Sequence, residues 1–251
     1  MRTELLPFMF RDWVSVSNYV FLAVLCIVFF RLPSALRRRN EYLLPFIYAF
    51  IFVVIDPLGF GFRLFQNVNG PINEFLGNHE KPFYNAWLYN IVLKMAMPVV
   101  ALLLIKNYLP AEQQTRVKWI LFTFISIAVV YQAIQIEPIY LNQGILFAVG
   151  ALCMLLGCFT YYYILMTREE YVFMNILLLP SFWQVTFIMF FTSLTYFTDI
   201  SASYLTENHS AFLVSMFKVN RFTGLVQSLV YIACLAAPLM KLKVETQPSY
   251  A

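Results

Sequence analysis

Apolar residues run through this chain in long, unbroken stretches bounded by charged or turn-forming residues. A bilayer core about 30 Å thick calls for about 20 mostly apolar residues in a helix. Seven stretches meet that length or approach it: 14–32, 43–65, 87–105, 119–134, 145–166, 172–196 and 211–240. Transmembrane strands would show alternating segments of about 10 residues. The pattern therefore predicts an all-α polytopic membrane protein, a bundle of seven transmembrane helices. The second run is interrupted by Asp56-Pro57 and by Gly59 and Gly61, and the fourth is short. Residues 1–13 precede the bundle as an external or interfacial segment of mixed charge and aromatic character, and 241–251 follow it as a cytoplasmic tail. With no small-residue cleavage site behind it, the first run reads as helix one rather than as a signal peptide.

Composition agrees with the pattern. Of the 251 residues 61% are hydrophobic, 18% aromatic and only 12% charged, against roughly 25% charged in a soluble domain. Mean hydropathy is +0.71. A soluble enzyme, a disordered regulator and a nucleic-acid binder are thereby excluded, and the lipid bilayer is the first partner. The net charge of +4 forms no single basic patch. The basic residues divide by side instead. Arg31, Arg37, Arg38, Arg39, Lys106, Arg116, Lys118, Arg168, Lys241 and Lys243 fall in connections on one side, and Arg2, Arg11 and Lys81 on the other. The positive-inside bias then predicts an external N-terminus and a cytoplasmic C-terminus in the plasma or inner membrane.

Ionisable residues within spans are costly, which makes them functional candidates. Counted from the cytoplasmic edge at about 1.5 Å per residue, Asp56 lies roughly 22 Å deep and Lys94 roughly 18 Å. Arg63, Lys218 and Arg221 reach the outer interface, where snorkelling accounts for them. A sharper reading joins these three to Lys94 as the wall of an outward cavity for a small anionic or lipidic ligand. Asp56 and Lys94, on consecutive helices at similar depth, are expected to form a buried ion pair, and Pro57 with its neighbouring glycines to kink or unwind helix two. Asn90 shares a face with Lys94, as Lys218 does with Arg221. Gln132 with Gln135, Ser181 with Gln184, and Asn220 with Gln227 read as interhelical glue. Gly150, Cys153 and Gly157 form a small-residue stripe for close helix approach, within the chain or between copies. Trp13, Trp87, Trp119, Tyr171 and Tyr196 suit an interfacial aromatic belt, and Asn208-His209-Ser210 fits the glycosylation pattern.

The four cysteines lie in apolar runs and the two histidines in connections, so neither a metal site nor a haem or other cofactor is expected. No nucleophile motif, HExxH or intramembrane acid cluster marks an enzyme. The topology is that of seven-helix receptors and microbial rhodopsins, but the DRY and NPxxY signatures of the receptors and the lysine placement of the rhodopsins are missing. The expected function is receptor-like: ligand binding in an outward-facing cavity, with a cytoplasmic signalling protein or a second copy of the chain as partner. A small-solute or ion transporter or channel is the alternative, ahead of a complex subunit or an intramembrane enzyme.

Overall fold

The computed structural model describes residues 13–171, 173–208, 210–242 and 245. The leader up to Asp12, most of the tail including Lys243, and the side chains of the Asn208-His209-Ser210 pattern lie outside the described residues. Eight longer helices follow in chain order: α1 (Trp13–Arg31), α2 (Asn40–Leu64), α3 (Gln66–Phe75), α4 (Ala86–Asn107), α5 (Ala111–Ile134), α6 (Gly144–Thr167), α7 (Pro180–Asn208) and α8 (Ser210–Ala236). Boundaries follow local chemistry. Pro33 stops α1 by forcing the residue before it out of the helical region. Glu41 and Glu112 stand in the first turns of α2 and α5, where a carboxylate meets the positive end of the helix dipole. Gln135 ends α5 in the left-handed region at φ 54°.

All helices but the amphipathic α3 pack as a ring: α1 on α2, α2 on α4, α4 on α5, α5 on α6, α6 on α7, α7 on α8, and α8 back on α1. α2 also touches α8, and α4 touches α6, across the interior. Leu102, Leu104, Ile105, Val53 and Leu146 are fully buried there. Large apolar side chains point outward as well, among them Phe30, Phe122, Val129, Phe159 and Phe190. A helix apolar on both sides has no stable place in water and belongs in lipid. Six of the helices, α1, α2, α4, α5, α6 and α8, are long and apolar enough to cross a membrane. The chain is thus a polytopic membrane helical bundle.

The sixth expected span shifts most. The 3-10 turn Glu169–Tyr171 precedes its apolar run and a second, Ile176–Leu178, lies within it, and α7 starts only at Pro180 and extends to Asn208. A proline at the first helical turn loses no hydrogen bond there, and it holds Leu179 extended, at φ −82° and ψ 116°. α7 is 29 residues long but carries Gln184, Thr192, Thr198 and Asp199, so it stands apart from the six apolar spans. Tyr171, assigned to the aromatic belt, is buried.

Pro57 does not unwind α2, which runs as helix from Asn40 to Leu64. The N–H that Pro57 lacks would have met the Val53 carbonyl, and one such missing bond is tolerated in a membrane helix; the Asn85 amide separately fastens the Gly59 carbonyl at 2.5 Å. The break in regular helix falls in α4 instead, where Asn90–Ala96 winds as a π turn. The small-residue stripe packs inside the chain: a Cβ on Gly150 would meet Pro98 at 3.1 Å, and one on Gly157 would meet Leu102 at 2.9 Å.

Candidate functional site

Five helices converge on a cavity of about 220 Å³ in the half of the bundle that holds the N-terminal end of α1, the half taken as outer from the charge bias, with Asn18 from α1, Asp56 from α2, Leu93 from α4, Thr195 and Asp199 from α7, and Asn220 and Arg221 from α8 among its walls. At about 1.5 Å per residue, Asn18, Asp56, Asp199 and Asn220 all lie about 8 to 15 Å from the ends of their helices at Trp13, Leu64, Asn208 and Ser210. They form one polar level. Phe52, Ile55, Phe191 and Leu225 supply the apolar remainder of the wall.

Hydrogen bonds fix the orientation of both amides. Asn18 is 5% exposed and donates through Nδ2 to the Asp56 carboxylate at 2.8 Å. Asn220, 8% exposed, donates through Nδ2 to Thr198 Oγ1 at 3.0 Å. The Thr198 hydroxyl proton is already directed at the Leu194 carbonyl, so its oxygen can only accept from Asn220. Both assignments turn the amide oxygens toward nothing: Asn18 Oδ1 and Asn220 Oδ1 are buried without a hydrogen-bond partner. Thr195 likewise donates its proton to the Phe191 carbonyl and keeps acceptor capacity on the cavity side of α7.

The residues singled out in the sequence are only partly brought together. Asp56 and Arg221 line the cavity. Lys94 is not paired with Asp56. Its ammonium donates to Asn142 Oδ1 at 2.5 Å and to the Gln143 carbonyl at 3.1 Å, and the carboxylates near enough to act on it are Asp199 and Glu137. Asn90, one helical turn away, donates to the carbonyls of Ile139 and Leu141. Both residues therefore fasten the 135–143 connection to α4. Arg63 is exposed and donates through Nε to Asn85 Oδ1 at 3.3 Å. Lys218 is exposed on the outer part of α8. Of the four cations expected to wall the cavity, Arg221 lines it.

No protein-family model, curated protein or solved structure matches this chain. The site must therefore be interpreted from its own chemistry.

Two of its members were not singled out from sequence. Asp199 lies three residues beyond the end assigned to the sixth run, and Thr192, Thr195 and Asp199 follow the helical i, i+3, i+7 pattern that would have revealed a continuing polar stripe. Asn18 is the only amide in the α1 run. Below the cavity the interior is closed by a second polar level. Gln227 Nε2 donates to the Tyr48 hydroxyl at 2.9 Å, and the Tyr48 and Tyr231 rings stack 5.0 Å apart. Tyr108 donates to Gln184 Oε1. Beneath that level is a smaller cavity of about 70 Å³, lined by Glu41, Tyr108, Ser181, Gln184, Cys234 and Glu245.

Proposed function

We propose that this protein is a receptor-like membrane protein of seven spans, with its N-terminus outside, that binds a small ligand in the outer cavity and passes the event to a cytoplasmic partner. One observation carries the reading: polar groups from α1, α2, α7 and α8 converge at one depth around a partly apolar cavity, where polar groups in the bilayer mark function more often than structure. The closed Tyr–Gln level beneath the cavity favours a receptor over a continuous channel, because a ligand held above it changes the packing of α7 against α8 without passing through. The length of α7 and its place between α6 and α8 support counting it as the seventh span. The plasma or inner membrane is the corresponding location.

The inner cavity supports a second reading. Two vestibules separated by a thin polar layer are also what an alternating-access transporter of a small solute requires. Reconstitution separates the two. Saturable ligand stabilisation without solute flux in liposomes is the receptor outcome, and ligand-dependent flux is the transporter outcome. Topology is tested by single cysteines placed at Glu170 and Lys241, which α7 and α8 separate: the seven-span reading puts them on the same face, and labelling from opposite sides refutes it.

A further inference from the structure

The unpartnered atoms around the outer cavity are all acceptors. Asn18 Oδ1 and Asn220 Oδ1 are buried with no donor. Asp199 lines the same cavity, and among the described residues no hydrogen bond reaches its carboxylate. Two cations are nearby: Lys94 donates to Asn142 and Gln143 and lies near enough to Asp199 to act on it without a hydrogen bond, and Arg221 lines the cavity with an exposed side chain. A buried carbonyl left without a donor costs free energy that the protein recovers only when something donates to it. An anion would meet these oxygens with repulsion, and a hydrocarbon would leave them unsatisfied. An ammonium group carries donors alone and suits a set of carboxylate and amide oxygens. The remaining wall is apolar and includes the rings of Phe52 and Phe191, packed edge to face 5.0 Å apart, a surface suited to the hydrocarbon or aromatic body of such a molecule.

We infer that the outer cavity is a site for a small organic ammonium ion, its cationic head on Asp199 and its apolar body against Phe52 and Phe191, with the buried oxygens of Asn18 and Asn220 turning toward the head on binding. This rests on the ligand-binding reading above and replaces the anion expected from the sequence with a cation.

The test uses the full chain in detergent, with phenethylammonium as probe and 2-phenylethanol, 3-phenylpropionate, sodium and potassium as comparisons. Saturable thermal stabilisation by phenethylammonium alone is the expected result, weakened about tenfold or more by Asp199→Asn and by Asn220→Leu, since each removes a charge-assisted contact. Asn220→Leu also removes an orphaned carbonyl, so the free variant should melt no lower than the parent, which separates loss of binding from loss of fold. In liposomes, Thr195→Cys should react from outside faster with a methanethiosulfonate bearing an ammonium than with one bearing a sulfonate, above the labelling of the parent chain, and phenethylammonium should protect it. Equal stabilisation by the alcohol or the carboxylate, or stabilisation by sodium or potassium alone, overturns the organic-ammonium assignment and leaves the ligand-binding cavity standing. No stabilisation by any probe, together with a Thr195→Cys that neither reagent reaches, overturns both.

Discussion

Lys94→Met asks whether the buried ammonium holds the outer connection in place. Lys94 is 8% exposed, and its Nζ donates to Asn142 Oδ1 and to the Gln143 carbonyl. Methionine keeps most of the stem volume and removes the donors. Hydrogen bonds from a charged donor contribute about 1.5–3 kcal/mol each, and two are lost. Against this, removing a buried charge relieves a desolvation cost of several kcal/mol. The Gln143 carbonyl then has no donor from Lys94, while the Gln143 side chain keeps its bonds to Gln132 and to the Glu137 carbonyl. The balance is a loss of about 2 kcal/mol, the two lost charge-assisted bonds outweighing the relief even though the Gln143 carbonyl keeps the Phe147 amide as a donor. For a chain of this length that lowers the thermal midpoint by roughly 4–8 °C. Unfolding is read with a thiol-reactive coumarin, because Cys158 is fully buried and Cys153 nearly so. Hydrogen exchange of the 136–143 amides reports the connection directly and should accelerate more than exchange in the α6 core. Lys94→Arg, which keeps donors and charge, should lose less. A Lys94→Met protein with an unchanged midpoint and unchanged exchange in 136–143 would refute the assignment of this lysine to the connection.

Exchanging the charges, Asp56→Lys with Lys94→Asp, should be no better tolerated than the worse single change, measured by folded yield and thermal midpoint; a rescued double variant would restore the direct ion pair. Gly157→Val should destabilise by about 1–3 kcal/mol through overpacking against Leu102 and Ile105, whereas Gly61→Ala, where a Cβ meets nothing within 4 Å, should be neutral or slightly stabilising in the same melt. Asn73→Ala should expose 76–84 to protease added outside liposomes, because the Asn73 amide donates to the carbonyls of Pro82 and Tyr84 and its oxygen accepts from Asn78; unchanged cleavage would show that this asparagine cluster does not hold the outer segment.

Continuous apolar runs were enough to locate the membrane helices, because hydropathy over about 20 residues is set by the bilayer and scarcely by tertiary packing. The runs gave α1, α2, α4, α5, α6 and α8 to within a few residues at most ends, α5 beginning eight residues earlier than its apolar run because 111–118 is polar yet helical. The sixth run failed at its start because 173–179 is largely apolar but holds no α-helix, only the 3-10 turn Ile176–Leu178, a distinction hydropathy does not make. Site chemistry was less legible for a geometric reason. Depth along a helix can be counted, whereas azimuth depends on which neighbour each face meets. Asp56 and Lys94 matched in depth, yet one turned toward Asn18 on α1 and the other toward the 135–143 connection. Asn18 and Asn220 were neutral amides in apolar runs, and only their unsatisfied oxygens distinguish them from ordinary interhelical glue.

The azimuth of Lys94 itself has a local cause. Pro98 has no N–H to give the Lys94 carbonyl four residues earlier, and α4 answers by winding Asn90–Ala96 as a π turn, with the Met97 amide reaching back to the Val92 carbonyl. A π turn accommodates one more residue than an α turn and so rotates everything before it relative to everything after. The inner part of α4 keeps Leu102, Leu104 and Ile105 in the core, while the displaced outer part presents Asn90 and Lys94 to the 135–143 connection. Gly150 on α6 makes this possible: a Cβ there would lie 3.1 Å from the Pro98 ring and 3.6 Å from the freed Lys94 carbonyl, so a larger residue would push α6 away from the turn. One proline and one facing glycine thus take a lysine that sequence depth assigns to Asp56 and turn it toward the outer connection.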